Sequence, residues 1–402
     1  MRPEHFARQQ ASGCRAAARF RHVGGFLCIL AWLANSVSCL GQTETVTPVE
    51  IALKYSEAQE PIGLAPVASS LPTTQPFTKE PPGGPSKVRG RFDFHGADIP
   101  DLPWLWAGQE KKLYLDLNRN GDLTDDTNGV FVSSERTPSY AVLKSVPLPL
   151  HSEFGHYSCL VDIHLYNFRQ VQCTMWLRSF YEGRVTLGGT EWQVGVVETH
   201  SPEGRQLLLR PWSRRGQPFS LHSGSRETLP LLHSLFFQGQ LYDLTCQEQF
   251  DSQARSLRLA LTPKTVPLGE VHVSGAHLGR LTFRGGQVIA VIDRPGQSFR
   301  MPTGSYSRLG VVLEAEDSRA YANVNSAAAD IRVEASQATT LDVGGPLTNL
   351  VVVSRDATHL QLNYTLEGRG GETYTLIGPR KSPEFRILRE GKQVAAGQFE
   401  FG

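Results

Sequence analysis

Short runs of alternating apolar and polar residues dominate the chain from residue 91 onward. Examples are "KLYLDL", "CLVDIHLY", "VQCTMWLRSF" and "EWQVGVVE", and most runs are bounded by Gly-Gly, Asn-Gly, Pro or Ser. A period of two places successive side chains on opposite faces of a strand, whereas no window of about 15 residues shows the helical period of about 3.6. The pattern therefore predicts an all-β fold of antiparallel β-sandwich or meander domains.

The first 41 residues are typical of an export signal. Five arginines and a nine-residue apolar run, residues 26–34, precede the small and polar residues "NSVSCLG". This is the order of a secretory signal peptide, and the run is shorter than the roughly 20 residues of a spanning helix. We therefore expect a secreted, extracellular or periplasmic protein without a transmembrane anchor. The alternative is an envelope lipoprotein anchored through a lipid at Cys39.

Charge and cysteine content narrow the class of protein further. The formal net charge is +1, and it becomes −3 without residues 1–41, which hold five arginines and one glutamate. Such a chain lacks the basic surface that nucleic acids require. Outside the signal it keeps Cys159, Cys173 and Cys246, an odd number that leaves at least one thiol unpaired. Cys159 and Cys173 flank a predicted hairpin but lie out of register for a disulfide.

The distribution of prolines and strand signals predicts four regions. Residues 61–86 contain seven prolines, which favours an extended linker without a central strand. We expect a signal peptide at 1–41, a Pro-rich linker at 42–90 with a short strand at "VEIALKYS", a β domain at 91–263 and a C-terminal β-sandwich region at 264–402. Within the β domain, "VTLGGTEWQVGVVE" and "LFFQGQLYDLTCQE" align at an offset of 50 residues. The match indicates a duplicated meander, or two meanders that look alike for physical reasons.

The segment "LYLDLNRNGDLTDD", residues 113–126, carries the pattern of an ion site. Asp116, Asn118 and Asn120 place oxygen-bearing side chains at every second residue, Gly121 follows, and acids close the segment. A Ca²⁺ loop needs oxygen ligands at positions one, three and five and a glycine at six, where the chain turns sharply. A plain Asn-Gly hairpin turn is the alternative, although such a turn does not need the surrounding acids.

These residues resemble the calcium loops of EF-hand and dockerin-like proteins. The resemblance implies Ca²⁺ as the cofactor, with a backbone carbonyl from Asp122 and an apolar anchor at Leu123. Thr127 stands where the closing glutamate is expected, so Asp125 or Asp126 would close a shorter loop. The alternation before the loop predicts a strand, where an EF-hand has a helix. The predicted metal-binding residues are Asp116, Asn118, Asn120, Asp122, Asp125 and Asp126.

The sequence as a whole predicts a non-enzymatic secreted protein with an interaction or structural role at the cell surface. It resembles exported bacterial β-rich proteins that carry a single calcium loop and have no established activity. No nucleophile elbow, phosphate loop or zinc-protease spacing occurs.

Two other function classes stay open. One is a carbohydrate- or surface-binding module in which Trp104 and Trp106 form an aromatic platform, with a glycan or protein partner. Tryptophan beside proline before a strand is more typical of core packing. The other is an extracellular hydrolase with paired acids, which strands would have to bring together from distant positions.

Overall fold

The alternating runs form strands, and the prediction of an all-β fold is confirmed. The structure, a computed structural model, describes residues 47–62, 68–82, 84, 86–94, 101–133, 140–152, 155–167, 171–198, 205–217, 219, 227–250, 255–315, 318–323, 330–356, 359–377 and 382–399. In these ranges the helical elements are two 3-10 turns, Thr127–Gly129 and Trp212–Arg214. The same ranges contain no apolar helix of the length needed to cross a bilayer.

The first part of the chain forms an eight-stranded antiparallel sheet. The strands in chain order are β1 (Val49–Glu57), β2 (Ala68–Thr73), β3 (Lys87–Asp93), β4 (Leu102–Ala107), β5 (Lys112–Leu115), β6 (Val130–Val132), β7 (Tyr140–Ser152), β8 (Gly155–Asn167) and β9 (Val171–Leu177). Eight of them follow the order β6-β5-β4-β3-β2-β9-β8-β7. Burial alternates along β9, where Cys173 and Met175 join a core with Phe92 and Trp104. The sheet therefore has a buried inner face and a more polar outer face.

A larger sheet begins with two three-stranded meanders that β1 joins. Its next strands are β10 (Ser179–Leu187), β11 (Thr190–Val197), β12 (Gln206–Pro211), β13 (Thr228–Pro230), β14 (Ser234–Phe237), β15 (Gln240–Phe250) and β16 (Arg255–Lys264). β1 pairs antiparallel with β10 on one side and with β16 on the other. The strand predicted at "VEIALKYS" is thus confirmed, and it lies between the two meanders.

The large sheet continues into the last third of the chain. The remaining strands are β17 (Leu268–Val273), β18 (Leu278–Gly285), β19 (Val288–Asp293), β20 (Ser298–Pro302), β21 (Gly304–Ala315), β22 (Ser318–Asn323), β23 (Ile331–Val333), β24 (Thr339–Leu341), β25 (Thr348–Asp356), β26 (His359–Glu367), β27 (Thr373–Ile377), β28 (Glu384–Arg389) and β29 (Lys392–Gln398). β14 pairs in parallel with β19, and the order continues β18-β21-β22-β27-β26-β25. The sheet thus crosses residue 264. Residues Val46–Gly402 form one compact unit, and the division into domains at 91–263 and 264–402 stays a prediction.

The Pro-rich segment 61–86 contributes a central strand, so the expectation that it holds none is wrong. β2 pairs with β3 on one side and with β9 on the other. β9 pairs only with residues 68–70, so Pro72 has a single neighbouring strand, on which it faces Gly90. Proline is tolerated where a strand has one free side, because its missing N–H is not needed there.

The two meanders predicted from the 50-residue offset have matching hairpins. Val185 faces Trp192 in the first hairpin, and Leu235 faces Tyr242 in the second. Each turn has two consecutive residues with positive φ: Gly188, Gly189, Gln238 and Gly239. This is the geometry of a type I′ turn, whose twist suits a tight hairpin. The repeated architecture is confirmed, while a common origin of the two copies stays a prediction.

We expect Leu53→Ala to destabilise the protein by about 3 kcal/mol, because truncating a fully buried leucine leaves a cavity. Leu53 is 0% exposed in the strand that joins the two meanders. Lys54→Ala is the matched control, since Lys54 is exposed on the same strand. Urea unfolding followed by tryptophan fluorescence measures both. Equal midpoints for the two variants would contradict the joining role of β1.

Candidate calcium-binding loop

The candidate loop connects β5 to β6 on the outer face of the eight-stranded sheet. β5 ends at Leu115, and β6 resumes the pairing after the 3-10 turn, with Tyr114 opposite Val130. The prediction of a strand before the loop is confirmed. The loop therefore begins at Asp116 from a rigid, hydrogen-bonded edge, which fixes where its first side chains lie.

Gly121 has a conformation that an L-residue rarely adopts. Its φ is +81°, and a Cβ atom placed on it would lie 2.8 Å from the Thr78 Oγ1 atom. Both the turn and the close approach of Thr78 require the missing side chain. The sequence prediction of a sharp turn at this glycine is confirmed.

Leu123 anchors the loop to the protein, as its position predicts. It is buried in a small apolar cluster with Leu105, Ala107 and Tyr114, against which Phe77 also packs. These residues come from β4, β5 and the Pro-rich segment. The cluster holds the second half of the loop against the outer face of the sheet.

Residues 77–80, here termed the brace, cross the loop and hold its turn. The Lys79 N–H group donates to the Gly121 carbonyl at 3.2 Å, and the Leu123 N–H group donates to the Lys79 carbonyl at 3.1 Å. Glu80 forms an ion pair with Arg89 of β3 at 2.5 Å. Sequence reasoning missed the brace, because its residues lie some 40 positions before the loop in a stretch assigned to a linker.

Asp116 fixes the first half of the loop through its carboxylate, which is almost fully buried. One oxygen accepts the Asn120 N–H group at 3.2 Å, and the other accepts the Gly121 N–H group at 3.0 Å. Its own N–H group donates to the Pro103 carbonyl at 3.0 Å. Both carboxylate oxygens therefore point toward the inside of the turn.

Asp125 closes the loop toward the two asparagines. The Nδ2 groups of Asn118 and Asn120 donate to its two carboxylate oxygens at 3.3 and 2.7 Å. The Oδ1 atoms of Asn118 and Asn120 accept the N–H groups of Asn120 and Asp122 at 3.0 and 2.6 Å. An amide oxygen has two lone pairs, so each Oδ1 atom keeps acceptor capacity.

Asp126 is the acid of the loop whose charge is least satisfied. Its side chain is 9% exposed, and its Oδ2 atom is buried without a hydrogen-bond partner among the described residues. Burial, together with the nearby carboxylates of Asp116 and Asp125, raises the pKa of Asp126, although N–H groups of Asn118 and Leu117 oppose this. A buried carboxylate oxygen without a donor is rare and costly.

Asp122 has a different environment from the other acids. Its Oδ1 atom accepts hydrogen bonds from the Thr124 N–H and hydroxyl groups at 2.8 and 2.6 Å, and its Oδ2 atom lies 3.3 Å from the Lys79 ammonium. The bonds from Thr124, followed by those from Lys79, lower the pKa of Asp122. Its side chain is thus already engaged, which is consistent with the predicted use of its backbone carbonyl.

The side chains are not already converged on one point. Within the described ranges, no group of three or more His, Cys, Asp or Glu side chains is arranged to hold a metal ion. The two oxygens of Asp125, for example, accept hydrogen bonds from amide groups of the loop. The donor set nevertheless consists of carboxylate, amide and backbone oxygens, which are the ligands of a hard cation such as Ca²⁺.

The other candidates from the sequence lie apart from this loop. Trp104 and Trp106 are buried in the core of the eight-stranded sheet, so they cannot form an aromatic platform, and the core interpretation is confirmed. The signal at 1–41, with Cys39, lies outside the described residues.

Cys159 and Cys173 are buried and are not joined in a disulfide. Cys173 faces Leu165 and Cys159 faces Leu148, so the prediction that they are out of register is confirmed. Burial, with a contribution from Glu198, raises the pKa of Cys159 to about 12. A thiol in that state is a poor nucleophile or metal ligand.

Comparisons with known proteins do not assign the chain to a family. No family model, curated protein or solved structure matches it. What the loop does must therefore be inferred from its own residues.

Asp126→Asn tests the electrostatics of the loop in calcium-free buffer. The raised pKa means that the folded state binds this proton more tightly than the unfolded chain. This tighter proton binding stabilises the folded state at pH values below the pKa of Asp126 in the unfolded chain. The stabilisation is lost as the pH rises through the pKa of Asp126 in the folded state. We therefore expect the wild-type melting temperature to fall, relative to that of the variant, as pH rises above the ordinary pKa of 3.8.

Glu110→Gln is the control, since Glu110 is an exposed acid at the preceding hairpin turn. The measurement is a series of melting curves in chelator between acid and neutral pH. A constant difference between wild type and Asp126→Asn across that range would contradict the assignment.

Proposed function

We propose that residues 116–126 bind one Ca²⁺ ion that stabilises the fold of a secreted, non-enzymatic β protein. The observation that carries this proposal is the environment of the Asp126 Oδ2 atom. This atom is buried, has no hydrogen-bond donor among the described residues, and lies near the carboxylates of Asp116 and Asp125. A divalent cation would supply the missing positive charge. Lys79, the ammonium group in contact with the loop, pairs with Asp122 instead.

The residues would hold the ion in distinct ways. Asp116, Asp125 and Asp126 supply carboxylate oxygens, and Asn118 and Asn120 supply amide oxygens at the positions that the spacing predicts. Binding requires Asp125 to give up the hydrogen bonds that it accepts from the Nδ2 groups of Asn118 and Asn120. That exchange costs part of the binding free energy. A site with few charges that must rearrange fits an affinity on the order of 10⁻⁴ to 10⁻³ M, as in extracellular modules.

The role of the ion would be structural. The loop is tied to the sheet through Leu123 and to the Pro-rich segment through the brace. Neutralising the acids would therefore stabilise the contact between residues that are far apart in sequence. An ion held in this way supports an extracellular scaffold, with a structural or interaction role at the cell surface.

Calcium is expected to raise the stability of the protein by about 1.4 to 2.7 kcal/mol at roughly 10 mM, if the dissociation constant lies in that range. The melting temperature should rise by a few degrees. Mg²⁺ at the same concentration should have a smaller effect, because it gives up its water reluctantly. Differential scanning calorimetry with each ion and with chelator measures the shift.

Asp126→Asn should abolish the calcium response, although it removes an unfavourable charge in chelator. Glu110→Gln should keep the response, since it removes an acid outside the loop. Relative to wild type, Asp126→Asn should therefore melt at a higher temperature in chelator and at a lower temperature in Ca²⁺. A general effect of charge would shift the melting temperature in the same direction under both conditions. An unchanged wild-type melting temperature on adding calcium would contradict the proposal.

A further inference from the structure

The outer face of the eight-stranded sheet carries an open groove whose lining residues lie outside the calcium loop. Its volume is about 550 Å³, and residues that line it include Ser69, Arg91, Asp93, Asp101, Gln172 and Thr174. This volume lies in the range of small-ligand sites. The groove is formed by strands β2, β3 and β9, together with the residue that precedes β4.

Strand register explains why polar residues from distant parts of the chain meet there. Ser69 of β2 faces Asp93 of β3 on one side and Thr174 of β9 on the other, and Thr174 faces His164 of β8. The neighbours of these residues along each strand, such as Phe92 and Cys173, lie in the core. The period of two therefore places this polar row on the open face.

Four aromatic rings continue this face beyond Thr174, and together they form what we term the aromatic shelf: Tyr140, His164, Tyr166 and Trp176. The shelf side chains are half-buried, so part of each ring surface meets solvent. The rings of Tyr140 and Tyr166 lie 5.2 Å apart, and those of His164 and Trp176 lie 6.1 Å apart. The Trp176 Nε1–H group donates to the Thr174 hydroxyl at 3.2 Å. The shelf is thereby connected to the groove.

The chemistry of this surface matches a sugar better than an ion or a lipid. A sugar ring presents C–H groups that pack on an aromatic face and hydroxyl groups that both donate and accept. The shelf offers aromatic surface. Gln172, Ser69 and Thr174 offer amide and hydroxyl groups of both kinds.

The charges of the groove disfavour an anionic ligand. Arg91 lies 3.8 Å from Asp101, so its charge is already balanced, and Asp93 adds a second acid. An anionic ligand would have to compete with Asp101 for Arg91. The groove also has open walls, and it leads onto the shelf, which suits a chain of several sugar units.

We propose that the groove and the aromatic shelf bind a neutral oligosaccharide. Binding here does not require the ion, although Arg119 of the calcium loop donates to the Asp101 carbonyl at 3.2 Å and so borders the groove. Asp93 and Asp101 are both exposed and lack the buried setting in which a general acid operates. The site therefore binds sugar without cleaving it.

The test is titration of the full chain with neutral hexasaccharides: cellohexaose, xylohexaose, mannohexaose, maltohexaose and chitohexaose. Isothermal titration calorimetry and tryptophan fluorescence should show binding of at least one of them at millimolar concentration. Trp176→Ala should weaken that binding about tenfold, as the loss of one stacking ring does. Gln172→Ala and Thr174→Val should each weaken it without changing the melting temperature.

Trp212→Ala is the matched control, because Trp212 is also half-buried and lies outside the groove. It should bind the same hexasaccharide as tightly as wild type. Titrations in calcium and in chelator separate this site from the loop. Three results would each overturn the proposal: no binding by any hexasaccharide, equal binding by Trp176→Ala, or binding only of an anionic chain such as hexagalacturonate. Release of new reducing ends from a hexasaccharide would show that the protein cleaves the sugar, which would contradict the proposal of binding without cleavage.

Discussion

Burial and the repulsion from neighbouring carboxylates disfavour the charged form of Asp126 in the loop between β5 and β6. Asp116 satisfies its charge with N–H groups of the turn, and Asp125 satisfies its charge with asparagine amides. Asp126 is left with a buried oxygen that has no donor among the described residues. A proton or a cation at that oxygen would balance the charge. The proposed function follows from how this balance is reached.

The brace shows why a weak ion site can matter for the whole fold. Lys79 bonds the turn through its backbone and pairs with Asp122, while Glu80 attaches the same segment to Arg89 of β3. The exposed pair of Lys79 and Asp122 contributes little alone. Backbone bonds and the apolar contact of Leu123 provide the main attachment. An ion in the loop would therefore stabilise packing between the Pro-rich segment and the sheet.

Much of the loop was predictable from sequence, because its oxygen-bearing side chains follow one another at fixed spacing. Alternation also identified the strand before it, and glycine marked the turn. The roles of Asp125 and Asp126 were not predictable, since they depend on which side chain becomes buried. The position of β2 was hidden as well. Proline suggested a linker, but Pro72 lies where a strand has only one neighbour.

The groove could not be predicted from the sequence, for a different reason. Ser69, Asp93 and Thr174 belong to three strands, and no local pattern relates residues that far apart. The tryptophans that stood out in sequence, Trp104 and Trp106, are buried, whereas Trp176 is half-exposed on the outer face. Hydrophobicity alone does not decide which aromatic residue faces solvent. The register of neighbouring strands decides it.

The most direct measurement is anomalous X-ray scattering from crystals grown with calcium. The account predicts one peak in the loop, about 2.3 to 2.6 Å from oxygens of Asp116, Asn118, Asn120 and Asp126. Asp125 should have turned from the asparagine amides toward the same peak. Crystals grown in calcium that show no peak at the loop, with Asp125 still bonded to Asn118 and Asn120, would contradict the account.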